Sequence, residues 1–206
     1  MVKKVIALLG MVMFCSSAFA LNTEAMLGES CADQKVAFEK YAADQRNDFV
    51  AQHILINMAD PMENMTDEQA LPLAACYATF KVKGLAFVDF VRTITDIFPG
   101  DISGKEAAKL SDFADRVVRL SKKAAFDNMV AQSSSAGDIM KYVWKEMVWP
   151  LDHMNEQEAA THLAIYKTFK VEGRPLSEFI RERSMFYDMN AEIKLEKFAD
   201  TIDPTK

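Results

Sequence analysis

The strongest constraint in this sequence is that it matches itself. Shifted by 89 residues, positions 58–92 align without a gap with positions 147–181, and 13 of the 35 pairs are identical where chance gives about two. The phrase ATFKVKG at 78–84 returns as KTFKVEG at 167–173. Upstream the match goes on with a one-residue slip, KVAFEK at 35–40 against KAAFDN at 123–128. Downstream it resumes after a four-residue deletion, KLSDFAD at 109–115 against KLEKFAD at 194–200. Such a chain reads as a tandem duplication, with helical repeat 1 over residues 31–118 and helical repeat 2 over 119–206, each roughly 85–90 residues long.

Local signals within the repeat are helical. Thr66 stands three residues before Gln69 and Asn155 three before Glu158, the pattern of a capping box that opens a helix. Leu73, Tyr77 and Phe80 form an apolar stripe at helical spacing, and Leu163, Tyr166 and Phe169 a similar one. Gly84 and Gly173 follow where a helix stops in the left-handed cap conformation, so the repeated phrase is predicted to be a last helical turn with its cap. Ser30 is predicted to cap a helix over 31–58 that breaks near Asp44 and is ended by Pro61. Further helices are expected at 85–97, stopped by Pro99-Gly100, and near 175–187 with Pro175 in the first turn. From Lys105 to Gln132 neither Gly nor Pro occurs, which allows one long helix or a break near Ser121. SSSAG at 133–137 reads as a loop. With no alternating β-branched run, the expected fold is all-α, one compact or two-lobed bundle.

The first twenty residues stand apart from the fold. Lys3 and Lys4 precede an apolar run ending in Ala18-Phe19-Ala20, a secretory signal peptide cut after Ala20, which leaves residues 21–30 as an N-terminal segment and a periplasmic protein. Acylation at Cys15 is disfavoured by the bulky Phe14 before it. No later stretch is apolar enough to span a membrane. Loss of the two lysines moves the formal charge from 24 − 30 = −6 to 22 − 30 = −8, which disfavours nucleic acid and anionic membranes as partners. Two cysteines then remain in an oxidising compartment, so a Cys31–Cys76 disulfide is predicted. In the second repeat Leu120 and Ile165 stand within a residue of the equivalent places, and apolar packing is expected there instead.

Candidate chemistry is sparse. His53, His153 and His162 lack metal-ligand spacing, and their counterparts Tyr142, Asn64 and Leu73 do not repeat a ligand set. Met58, Met62 and Met65 invite a copper reading, but the second repeat keeps only Met147 and Met154 around Leu151, an exchange that packing tolerates and a thioether ligand does not. No metal or cofactor is expected. Gly28-Glu29-Ser30 is similar to the Glu-Ser of lysozyme-like lyases, without their downstream segment, and reads better as a helix start. No nucleophile elbow or phosphate loop is present.

The capped helix starts, the central aromatics of Ala75-Cys76-Tyr77-Ala78-Thr79 and Ile165-Tyr166-Lys167-Thr168, and the later glycines together resemble a family of secreted bacterial helical domains of unknown function. That resemblance implies an all-α periplasmic domain and assigns no catalytic residue. MTDEQ at 65–69 also resembles the helix starts of helical periplasmic stress chaperones. The expected role is a helical binding or accessory protein acting through protein–protein contacts, with a chaperone-like holdase as the alternative and a cell-envelope enzyme third. The expected placement puts Tyr77 and Tyr166 in the core and the basic side chains Lys81, Arg92, Lys170 and Arg181 in solvent; the alternative is a binding surface made of these six together with the tryptophans Trp144 and Trp149.

Overall fold

The computed structural model describes residues 30–97 and 103–204. The signal peptide, most of the N-terminal segment, Gly28-Glu29 and the Pro99-Gly100 stop lie outside the described residues. Among the described residues the chain is helical apart from two pairs of two-residue strands, so the fold is all-α. It divides into two compact units, one reaching Val118 and one starting at Arg119.

The first unit begins with α1 (Cys31–Asp44), whose N-cap Ser30 accepts a hydrogen bond from the Asp33 amide. Gln45 is extended and ends it, and α2 (Asn47–Ile54) starts anew. Pro61 does not stop this second run. A π-helical segment, π1 (Leu55–Ala59), intervenes, and α3 (Asp60–Glu63) follows with Pro61 in its first turn. Proline lacks an N–H and its ring crowds the carbonyl four residues back. The wider π turn relieves that crowding, so the chain keeps its helical course. α4 (Asp67–Tyr77) opens with the expected capping box: the Gln69 side chain accepts from the Thr66 amide at 2.9 Å while Thr66 Oγ1 accepts from the Gln69 amide.

The repeated phrase is a hairpin, and the expectation of a helical last turn with its cap is corrected. α4 ends at Tyr77, and β1 (Lys81–Val82) pairs antiparallel with β2 (Leu85–Ala86) across Lys83 and Gly84. Both turn residues have positive φ, 51° and 86°, as a two-residue turn of the primed type requires. A side chain at Gly84 would meet nothing within 4 Å, so the backbone angle and not crowding selects glycine. The hairpin pins α5 (Phe87–Ile97) to the helix before it, because the Phe87 amide donates to the Phe80 carbonyl at 3.0 Å. Val82, Phe80 and Phe87 are sunk in a core where the rings of Phe38, Tyr77, Phe80, Phe87 and Phe113 meet at 5.4 to 6.2 Å between centroids. Cys31 and Cys76 are joined as a disulfide, Cα to Cα 5.6 Å, which ties α1 to α4.

α6 (Gly104–Gln132) is unbroken at Ser121; its residues from Arg119 onward belong to the second unit. The serine loop is shorter than expected: Ser135 already caps α7 (Ala136–Tyr142), which contains Gly137. A second π segment, π2 (Val143–Val148), leads into α8 (Trp149–Leu151) with Pro150 in its first turn. α9 (Glu156–Tyr166) carries the second capping box, Asn155 with Glu158. β3 (Lys170–Val171) and β4 (Arg174–Pro175) flank Glu172 and Gly173, with φ of 52° and 80°. Pro175 therefore precedes α10 (Leu176–Ser184) instead of entering it, and α11 (Met189–Ile202) closes the unit from an Asp188 cap. Phe126 stacks on Phe169 at 4.6 Å, as Phe38 stacks on Phe80 at 5.4 Å in the first unit. Leu120 and Ile165 are both buried.

Candidate functional site

The structure scatters the residues weighed as a binding surface. Tyr77 and Tyr166 are core residues, 1% and 3% exposed, and burial pushes both phenols up to about 12. Lys81 and Lys170 are exposed, but on the hairpin strands, so neither shares a helix face with its tyrosine. Arg92 and Arg181 hold their own units together: Arg92 pairs with Asp115 at 2.8 Å and Arg181 with Asp200 at 3.0 Å, the latter also reaching the Ala199 and Asp203 carbonyls. Trp144 is half-buried. Trp149 is the exposed aromatic of the set, its ring 4.5 Å from that of His153.

Beside these positions each unit has a cleft at the same place in the repeat. In the first it is lined by Ala59, Met62, Glu63, Lys109, Asp112, Phe113 and Arg116, and measures about 180 Å³. Lys109 bridges α6 to α3, bonding Asp60 at 2.7 Å and also Glu63. Arg116 bonds the carbonyls of Met62 and Met65, the latter at 2.7 Å, and pairs with Asp67. That cleft is lined on its polar side by ion pairs of its own.

In the second unit the corresponding cleft is about 220 Å³ and is lined chiefly by Val148, Leu151, Ala159, Leu163 and Phe198, with Lys194, Lys197, Asp152 and Thr201 at its edge. Lys194 bonds Asp152 at 2.6 Å, the counterpart of Lys109 with Glu63, and this bond holds the Asp152 carboxyl below its ordinary value. The other two polar places differ. Lys197 stands where the first unit has Asp112, and Thr201 where it has Arg116. Ala70 and Ala74 are fully buried, whereas their counterparts Ala159 and Leu163 are half-buried and line the opening. Thr201 is too short to reach across as Arg116 does.

A polar cluster also belongs to the second unit alone. Lys122 Nζ lies 3.1 Å from both ring nitrogens of His162, whose Nδ1 is 3.2 Å from the Tyr166 hydroxyl, and that hydroxyl donates to the Glu146 carbonyl. One proton arrangement satisfies the chain: Lys122 donates to Nε2, and Nδ1–H donates to Tyr166. Burial, then the Lys122 charge, lowers the His162 pKa, and burial lowers that of Lys122. In the first unit the places of Lys122 and His162 are taken by Gln34 and Leu73.

Around the turn between α10 and α11, Met185, Phe186, Met189 and Ile193 are 57% to 73% exposed. No sequence signal separated these side chains from core ones, because each falls at a spacing a buried face would also use. Met58 and Met62, singled out for soft-metal chemistry, are core residues. Among the described residues no three His, Cys, Asp or Glu side chains gather as a metal site, and no helix is long and apolar enough to cross a membrane. Comparison of the chain with protein-family models, with curated proteins and with solved structures finds no match.

Proposed function

We propose that this is a secreted helical binding protein that engages a protein partner through its C-terminal unit. The observation that carries the reading is the exposed group Met185, Phe186, Met189 and Ile193. Methionine and aromatic side chains gathered on a surface mark contact sites, since leaving them in water costs free energy that a partner recovers. Export is supported by the charged, apolar and small-residue order of residues 1–20 and by the Cys31–Cys76 pair, which suits an oxidising compartment. The two matching stretches read as a duplication in which one copy kept a scaffold role and the other acquired the contact face.

A photo-crosslinking amino acid placed at position 186, and at the exposed Lys170 as control, tests the reading in intact cells. One dominant adduct from position 186 and none from position 170 is expected. A broad ladder of adducts from both positions would establish a holdase, and no adduct from position 186 would remove the proposed face.

A further inference from the structure

We infer that the cleft of the second unit is a binding site for a single-chain aliphatic carboxylate, with the chain lying on Val148, Leu151, Leu163 and Phe198 and the carboxylate meeting Lys197. The inference is independent of the protein-partner reading, because it rests on the cleft and not on the surface around Phe186.

Three observations lead to this chemistry. The first is the lining, in which apolar side chains form the floor and charged groups stand only at the edge. A ligand matching it is apolar along its length and charged at one end. The second is the sign of that edge. Lys194 is already neutralised by Asp152, whereas Lys197 forms no salt bridge among the described residues and is exposed, so the net surplus is one cation facing the opening. A surplus cation beside an apolar cleft selects an anionic head over a cationic one, locally and against the overall negative charge of the chain. The third is size. About 220 Å³ lies below the roughly 300–1,000 Å³ of pockets that enclose drug-sized molecules, so the site suits one flexible chain and excludes a fused ring system. The first unit serves as an internal control: with Asp112 in place of Lys197, the same place in the fold offers an anion no surplus charge, and with Arg116 spanning to α3 a side chain of the protein lies across its apolar lining of Ala59, Met62 and Phe113.

The probe is sodium decanoate below its micelle concentration, titrated calorimetrically into the oxidised full chain, with decyltrimethylammonium as the cationic control and phosphatidylglycerol vesicles as a lipid-surface control. Decanoate is expected to bind one to one and to shift leucine and valine methyl resonances of the second unit, with no heat from decyltrimethylammonium and no vesicle association. Lys197→Glu should weaken binding at least tenfold. The double change Lys197→Asp with Thr201→Arg, which installs the side chains of the first unit, should abolish it. The inference falls if decanoate gives no heat, if both amphiphiles bind alike, if Lys197→Glu binds as the parent does, or if only vesicles bind. Lys197 is a solvent-exposed edge residue, so its variant keeps the test decisive even where the double variant fails to fold.

Discussion

The two units share an order of elements and differ in what holds them. The first is fastened covalently between α1 and α4 and electrostatically by Arg116, and its cleft is lined on its polar side by its own charges. In the second, Ile165 stands in the place of Cys76 and Thr201 in that of Arg116. It carries instead a buried-edge polar cluster and an exposed apolar turn. In the first unit Arg116 spans the cleft to α3, whereas in the second Thr201 is too short to span it and Met185, Phe186, Met189 and Ile193 stand exposed around one turn. The disulfide thus lies in one unit and the exposed apolar turn in the other.

The largest break in that comparison should come from the disulfide. Closing a 45-residue separation stabilises the native state by about 4 kcal/mol in the chain-entropy model, so Cys76→Ser should lower the stability of the first unit by up to about that amount. Hydrogen exchange during denaturant unfolding should show the loss in residues 31–97 and little change from 136 onward. Arg116→Ala should come next, at about 2 kcal/mol, since it removes the donor to the Met62 and Met65 carbonyls and one ion pair of Asp67, whereas Thr201→Ala should change stability by less than about 0.5 kcal/mol. Equal losses from the two changes would show that the clefts are not different in kind.

Smaller effects sharpen the comparison at the hairpins. Lys83 and Glu172 both sit at positive φ, so glycine at either place should relieve strain of about 1 kcal/mol. Lys83 also donates to the Gln45 carbonyl and Asn47 Oδ1, both at 2.8 Å, so Glu172→Gly should raise the melting temperature more than Lys83→Gly. The shallowest effect is on pH. The folded state of the second unit holds His162 with a lowered pKa, chiefly by burial and then by Lys122, so the unfolded chain takes up the proton more readily. Stability is then complete above the ordinary histidine value near 6.5 and declines as pH falls below it. His162→Leu, the residue of the first unit at this place, should flatten the part of the slope that arises in the second unit. The part from His53, whose pKa burial also lowers, should persist.

What could be read from residues was what depends on neighbours in sequence. Both capping boxes require only residues three apart, and both are present. The disulfide followed from setting Cys15 aside with the expected signal peptide, which left Cys31 and Cys76 as the pair. The hairpin was misread because two residues on either side of a turn give no alternation to detect, and a positive-φ glycine ends a helix as readily as it turns a strand. Pro61 was misread as a stop because its tolerance depends on a π turn that leaves no composition signature. Tyr77 and Tyr166 were read two ways, as stripe residues of the core and as candidates for a contact surface, since the phenol offers a polar tip to either environment; the core reading holds. The cleft was illegible for a different reason. Its character turns on Asp112 and Arg116 against Lys197 and Thr201, which lie past the four-residue deletion and acquire meaning only once α6 and α11 are folded over the helices they cover.

The π segments have a consequence of phase. Because a π turn takes one residue more than an α-turn, every later side chain lags by about 100° behind its place in an unbroken α-helix. Beyond Leu55–Ala59 this lag sets which of Asp60, Pro61, Met62 and Glu63 looks inward, and it is what brings Met62 to the core while Glu63 meets Lys109. Regularising that segment to an α-helix without shortening it would turn the whole following turn away from its partners, whereas deleting one residue would let an α-turn close with Met62 and Glu63 where they are, so the spare residue acts as a rotary setting for the lining of the cleft.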